Sequence, residues 1–122
     1  MTDTAKALYN FFSGFGIPAY ARYNVPDDAV TPYITYDLIE PEPLALSMLH
    51  AWVWYRGSSY GAVLAKCDQI KAAIGTGVSI PTDSGFIVIF RDNDTPFMQQ
   101  QPDPNPDIKC AYLTMILHAN TD

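Results

Sequence analysis

The chain has 122 residues, which is enough for one domain with one hydrophobic core and too few for two. Charged residues make up only 16% of the chain, against roughly 25% in soluble domains, while 16 aromatic rings must be placed. A domain of this size cannot hide all these rings in its own core, so we expect another chain to cover some of them. The net charge of −6, without a basic stripe, argues against tight binding to nucleic-acid phosphates.

The sequence also argues against membrane, metal, disulfide and cofactor sites. No apolar run approaches the ~18 residues of a membrane-spanning helix, and the first 14 residues are amphipathic rather than a signal peptide, so we expect a soluble protein that is not secreted. Cys67 and Cys110 have no second Cys or His at ligand spacing and are predicted to be small core residues. The Gly14-Phe15-Gly16 segment lacks the preceding strand and third glycine of a dinucleotide fingerprint.

The first third of the chain predicts one helix and two strands. Apolar residues recur at three- and four-residue steps from Thr2 to Phe15, which predicts a helix that ends at the following glycines. Ala19 to Tyr23 is a short strand candidate, and Asn24 to Pro32 is a loop with two prolines and two adjacent aspartates. The β-branched and aromatic residues from Tyr33 to Ile39 predict a strand.

Pro41 and Pro43 break the chain before Ser47 to Arg56, the most aromatic strand candidate. Neither face of this strand has the polar character of a side in water, so we expect a central strand covered on both sides. Leu49, Ala51, Val53 and Tyr55 point one way, and Met48, His50, Trp52 and Trp54 point the other way. Trp52 and Trp54 are therefore expected either in a core covered by helices or at an interface between subunits.

A second helix follows the turn at Gly57 to Ser59, whose serines suit an N-cap. Its apolar stripe has helical spacing and consists of Tyr60, Val63, Leu64, Cys67, Ile70 and Ile74. Gly75 and Gly77 suit the end of a helix better than a phosphate-binding loop.

The last third of the chain predicts a hairpin, a long loop and a final strand. Val78 to Ile80 and Gly85 to Arg91 flank a turn over Pro81 to Ser84. Asp92 to Asp107 carries four prolines and three consecutive glutamines and is predicted as an extended loop with polyproline character. Side chains of two sets alternate from Ile108 to Ala119, which predicts a long final strand.

The element order predicts an α+β fold, a single domain over residues 1–122. We expect a mostly antiparallel sheet of four to six strands, with two helices packed on one face. A sheet that is apolar on both sides has a second face to bury. Either another subunit covers that face, or the sheet curls and closes over its own side chains.

Catalytic signals are weak throughout the chain, and we predict no enzyme and no active site. His50 and His118 lie on strand candidates, without a nucleophile or a metal-binding spacing near them. The pairs Asp27 with Asp28 and Asp103 with Asp107 are suitable for general acid and base chemistry, but their proline-rich surroundings favour solvated loop charges.

Five segments in order resemble small tail terminator proteins, also called tail completion or minor capsid proteins, of long-tailed phages and prophages. They cover most of the chain: Val25 to Glu42, His50 to Val63, Cys67 to Gly77, Gly85 to Asp92 and Gln101 to Leu113. The pattern consists of a Pro-Tyr-Ile-Thr-Tyr strand, a Trp-rich strand that leads into a helix, and a Pro/Asp-rich loop before the final strand. None of these is a chemical signature.

The resemblance implies a subunit that forms a ring, commonly of six copies, at the head-proximal end of the tail tube. Such a ring stops tube polymerisation and offers the surface that joins the head to the tail. The implied partners are other copies of the chain, the tail tube protein and the head-completion protein, and the implied location is the virion, with the host cytoplasm during assembly. DNA passes through such a ring without specific binding, which fits a negatively charged subunit.

The resemblance fixes no functional residue, so interface residues are predicted from the aromatic strand and from the long loop over Asp92 to Asp107. They are Trp52, Trp54, Gln99, Gln100, Gln101, Asp103 and Asp107. Three other functions stay open: a head-completion or neck connector protein, a small enzyme or ligand-binding domain with the aromatic strand as a pocket wall, and a structural adaptor without a ring.

Overall fold

The computed structural model describes residues 3–39, 47–83, 85–92 and 95–121, which form two helices and one curled seven-stranded sheet. The elements in chain order are α1 (Asp3–Ser13), β1 (Ala19–Ala21), β2 (Tyr33–Ile39), β3 (Ser47–Arg56), α2 (Gly61–Ile74), β4 (Val78–Pro81), β5 (Gly85–Arg91), β6 (Met98–Gln101) and β7 (Ile108–Thr121). The predicted α+β class is confirmed, with one strand more than the largest predicted number. The predicted break at Pro41 and Pro43 lies outside the described residues.

The long strand β7 lies in the middle of the sheet, whose order is β1-β2-β3-β7-β5-β4. β7 pairs with β3 along one edge, and its other edge pairs with β6 near Cys110 to Leu113 and with β5 beyond Met115. All these pairs are antiparallel, and only β1 and β2 are parallel. The predicted mostly antiparallel sheet and the predicted hairpin of β4 and β5 are both confirmed.

Alternate side chains of the central strands form the hydrophobic core together with side chains from both helices. We call this side of the sheet the core face. Its fully buried members on β2, β3, β5 and β7 are Ile34, Leu49, Ala51, Val53, Ile87, Ile89, Ala111, Leu113 and Met115. The helices add Ala7, Leu8, Phe12, Val63, Cys67, Ile70 and Ile74 to the same cluster. Over the described residues, the strands and both helices therefore share one continuous core.

Helix α1 buries Phe12, whose ring stacks on the Tyr36 ring of β2 with the centroids 5.0 Å apart. Tyr9, on the same helix, is 47% exposed. The Lys66 ammonium on α2 donates to the Phe15 carbonyl at 2.6 Å. This contact ties the second helix to the segment that ends the first.

Helix α2 buries four residues of the predicted stripe and begins later than predicted. Tyr60 is the N-cap residue and makes no capping hydrogen bond with its side chain, so the predicted serine cap is wrong. Ser59 Oγ accepts instead from the Gly61 N–H at 3.4 Å. Gly75 ends the helix with a φ of 56°, a value that favours glycine, and its N–H donates to the Lys71 carbonyl. Neither helix, over the residues described, is long and apolar enough to cross a membrane.

Strand β6 lies inside the segment from Asp92 to Asp107 that was predicted to be an extended loop. Met98 to Gln101 pair with Leu113 to Cys110, and the Thr114 N–H donates to the Phe97 carbonyl at 3.0 Å. The strand forms because the backbone of β7 has an open edge there, and backbone pairing requires no apolar side chain. The three glutamines are exposed.

The buried ring of Phe12, stacked on Tyr36, leads to a prediction about the free energy of unfolding. Replacement of Phe12 by Ala removes a fully buried ring and should lower the free energy of unfolding by about 3–5 kcal/mol. Tyr9→Ala, on the same helix at an exposed position, should change it by less than about 1 kcal/mol. Urea unfolding followed by circular dichroism measures both. Equal losses in the two variants would contradict the described position of α1.

Candidate functional site: an aromatic sheet face and an open strand edge

The side of the sheet opposite the core face carries Phe86, Phe90 and His118 towards one end, and six further ring-bearing side chains form a group next to them. They come from β1, β2, β3 and β7, because every second residue of a strand points to the same side. We call this set the aromatic face: Tyr20, Tyr33, His50, Trp52, Trp54 and Tyr112. The register places Trp52 between Thr35 and Tyr112, and Trp54 between Tyr33 and Cys110.

The rings of the aromatic face contact one another in two groups. His50 and Trp52 each lie with their ring centroids 5.2 Å from that of Tyr112. Tyr33 lies 6.4 Å from Trp54 and 5.8 Å from Tyr20. The edge-to-face and tilted arrangements are those that aromatic pairs prefer. These lateral contacts make the face a pre-formed surface.

Neighbouring side chains of the same chain supply part of the cover of this face. Trp52 is only 8% exposed, and Thr35 and Cys110 are buried beside it. Tyr33 and Trp54 stay half-buried. Trp52 and Trp54 are thus neither beneath a helix nor fully open to solvent.

Arg22 follows β1 and lies across the aromatic face. Its guanidinium carbon is 4.5 Å from the centroid of the Trp52 ring, and one of its nitrogens is 3.6 Å from a carboxylate oxygen of Asp37. The Arg22 N–H donates to the Tyr36 carbonyl at 2.8 Å. Arg22 therefore fixes the start of the loop over residues 22–32 against the sheet. No signal in the sequence pointed to this role.

A cleft of about 320 Å³ opens between this loop and β3. Its walls include Val25, both tryptophans and Gln101. The Trp54 indole N–H donates to Thr35 Oγ1 at 3.0 Å across the cleft. The structure thus brings together three of the predicted interface residues, Trp52, Trp54 and Gln101.

The other predicted interface residues lie around β6 and the turn that follows it. Gln99 is the register partner of Tyr112 on the aromatic side, and Gln100 lies on the opposite side of the strand. Asp103 accepts from the Asn105 N–H at 2.9 Å and holds the turn. Asp107 is exposed, with a carboxylate oxygen 3.9 Å from an Arg56 nitrogen at the end of β3. Asp103 and Asp107 thus contact different partners.

The titratable groups of this region are shifted mainly by burial. Burial lowers the pKa of His50, while the Asp37 carboxylate raises it and the Arg22 guanidinium lowers it. Burial raises the pKa of Tyr33, and Cys110, Tyr20 and Asp103 add to that rise. Burial also raises the pKa values of the Cys67 and Cys110 thiols to about 12. Both thiols are therefore protonated and unreactive in the folded chain at neutral pH.

A second cleft, of about 430 Å³, lies between α1 and the β1–β2 edge. Leu8, Tyr36 and Leu38 line it, and neither His50 nor Tyr55 does. Over the described parts of the chain, no three His, Cys, Asp or Glu side chains are grouped so that they could hold a metal ion. The chain matches no model of a known protein family and none of the curated proteins.

The position of His50 leads to a prediction about how the stability of the chain depends on pH. Because the folded protein holds the pKa of His50 below that of the unfolded chain, about 6.5, the unfolded chain takes up a proton first as the pH falls. The stability associated with the neutral imidazole is therefore present above pH ~6.5 and is lost as the pH falls through the folded pKa. NMR titration should find His50 protonating below pH ~6.5 in the folded chain. Arg22→Gln should raise that pKa and Asp37→Asn should lower it.

The control is His50→Gln, which should lose less unfolding free energy than the wild-type chain between pH 7 and pH 5. A His50 that titrates at or above pH ~6.5 would contradict the partly buried, ring-lined position.

Proposed function

We propose that this chain is a structural virion protein, a tail terminator whose copies form a ring at the head-proximal end of a phage tail tube. In this role it stops tube polymerisation and provides the surface that joins the head. Its partners are further copies of itself in a ring of six, the tail tube protein and the head-completion protein. DNA passes through the ring without specific binding.

The observation that carries the proposal is the half-covered aromatic face next to the open edge of β6. Tyr and Trp side chains are the types favoured at protein interfaces, because each joins a large apolar body to a polar tip. Tyr33, Trp54 and Tyr112 keep part of their rings accessible to a partner. Their surface is pre-formed by ring contacts and by the Trp54–Thr35 hydrogen bond, which lowers the entropy cost of association.

Two further features support self-assembly rather than binding of a small ligand. The edges of the sheet differ, with β1 at one end and β4 and β6 on the other side of β7, so that two different surfaces are available to join successive copies. The five segments that resemble tail terminators include most of β2, β3 and α2.

Microscopy with tail tubes tests the proposal. Tubes assembled from the tube protein of the same genome are mixed with the purified chain and viewed by negative stain, and mass photometry measures the chain alone. We expect a ring at one end of each tube and a stop to elongation. A monomer that binds no tube would contradict the proposal, and binding to heads but not to tube ends would indicate the head-completion role instead.

A matched pair of variants tests whether the aromatic face takes part in the capping of tubes. Trp54→Gln removes a half-buried ring from that face and should weaken capping of tubes by at least about tenfold. Tyr9→Gln, at an exposed position on α1, should leave capping unchanged. Circular dichroism shows whether each variant is folded. Equal capping by the two variants would exclude the aromatic face as the interface.

A further inference from the structure

The loop over residues 22–32, which we call the acidic loop, presents apolar and acidic side chains together. Of the four exposed large apolar side chains in the described part of the chain, two belong to it: Tyr23 is 80% exposed and Val30 is 76% exposed. Asp27 and Asp28 are exposed between them. Such a concentration of solvent-facing apolar surface in one loop is typical of an interaction site.

The acidic loop is ordered before any partner binds. The Asn24 N–H donates to the Ala21 carbonyl at 2.9 Å, and the Ala29 N–H donates to the Pro26 carbonyl at 3.1 Å. Arg22, the first residue of the loop, lies with its guanidinium over the Trp52 ring. A loop fixed in this way loses little conformational entropy when it docks.

On the other side of the sheet a cleft of about 250 Å³ lies between α2 and β6, and we call it the β6 cleft. Phe97 and Met98 supply partly buried apolar walls, and Cys67 supplies a buried one. Lys71 and Asp68, both exposed residues of α2, also line it. The cleft can thus accept an apolar side chain, with one cation and one anion next to it.

The edge of β6 beside this cleft has no partner strand among the described residues other than β7. Edge strands usually carry charged residues or prolines that discourage pairing with another chain. The sequence of β6, Met-Gln-Gln-Gln, contains neither. This edge is therefore suited to contact with another chain.

We propose that the acidic loop of one copy docks in the β6 cleft of a second copy of this chain. Val30 and Tyr23 would meet the apolar walls at Phe97 and Met98. Asp27 and Asp28 would lie near the Lys71 ammonium, so that the charges of the two surfaces are complementary at this point. Asp68 opposes the same carboxylates and weakens the contact.

This contact is heterologous, because the acidic loop joins β1 to β2 at one end of the sheet and the β6 cleft lies beyond β7. Heterologous contacts repeat from copy to copy and close into a ring when the rotation between copies permits it. The inference rests on the proposed function in that it names the surfaces that would join neighbouring copies in the ring.

Charge reversal tests the contact through self-association, measured by mass photometry with and without tail tubes. Lys71→Glu, and separately Asp27→Lys with Asp28→Lys, should each weaken assembly by at least about tenfold, and the combination should restore it. Asp68→Lys should strengthen assembly. Lys6→Glu on α1 is the control, with the same charge change as Lys71→Glu at an exposed position outside both surfaces, and should have no effect.

Cross-linking gives a second test that does not depend on charge. The native thiols are buried with pKa values of about 12, so they can stay in place while Val30→Cys and Gln100→Cys, the latter on the cleft side of β6, are introduced in separate chains. Mixed chains should cross-link to each other with a short thiol reagent in the presence of tubes, and neither variant should cross-link to itself. Self-cross-linking of Gln100→Cys would indicate symmetric pairing of β6 edges and overturn the inference.

The outcomes separate this inference from the proposed function. If the wild-type chain caps tubes but charge reversal and cross-linking have no effect, the contact is wrong and the tail terminator function stands. If the wild-type chain neither self-associates nor binds tubes, the proposed function fails, and the contact fails with it.

Discussion

The ladder between β3 and β7 is the constraint on which the rest of the molecule depends. Ten consecutive residue pairs join these strands, from Ser47 opposite Leu117 to Arg56 opposite Ile108. The period of two along a strand then determines both surfaces, since Leu49, Ala51 and Val53 go to the core while His50, Trp52 and Trp54 go to the aromatic face. A slip of one residue would exchange the two sets and place two tryptophans beneath the helices. The register is therefore fixed by the core and, through it, fixes the candidate interface.

The many aromatic side chains of this weakly charged chain lie in two different places. Part of the aromatic excess lies in the core, where Phe12 stacks on Tyr36, and part lies on the second face of the sheet, where rings cover one another. Lateral packing leaves Trp52 almost buried and Trp54 half accessible. The partner we propose has less apolar surface to cover than the composition alone indicates. The contact between copies can then rely on smaller features at the two ends of the sheet, the acidic loop and the β6 cleft.

The sequence predicted those elements whose apolar side chains recur at the spacing of a helix or a strand. The helical spacing of Val63, Cys67, Ile70 and Ile74 and the alternation of β3 and β7 follow directly from burial on one face or two. Strand β6 could not be predicted in this way, because three glutamines have no apolar alternation and the strand depends on backbone pairing with a distant part of the chain. The contact of Arg22 with Trp52 also joins residues thirty positions apart and leaves no local pattern. The N-cap at Tyr60 shows that helix starts are set by the preceding turn as well as by residue preference.

Amide hydrogen exchange of β6 is the most direct test of the claim that this edge and its cleft are covered in the assembly. The backbone of an open edge exchanges faster than that of a covered one, because its outward amides face water. We predict that Gln99 to Gln101 and the acidic loop exchange more slowly in chains bound to tail tubes than in dilute free chains, while the buried amides of β3 stay unchanged. Exchange at β6 and at the acidic loop that is identical in bound and free chains would contradict the account.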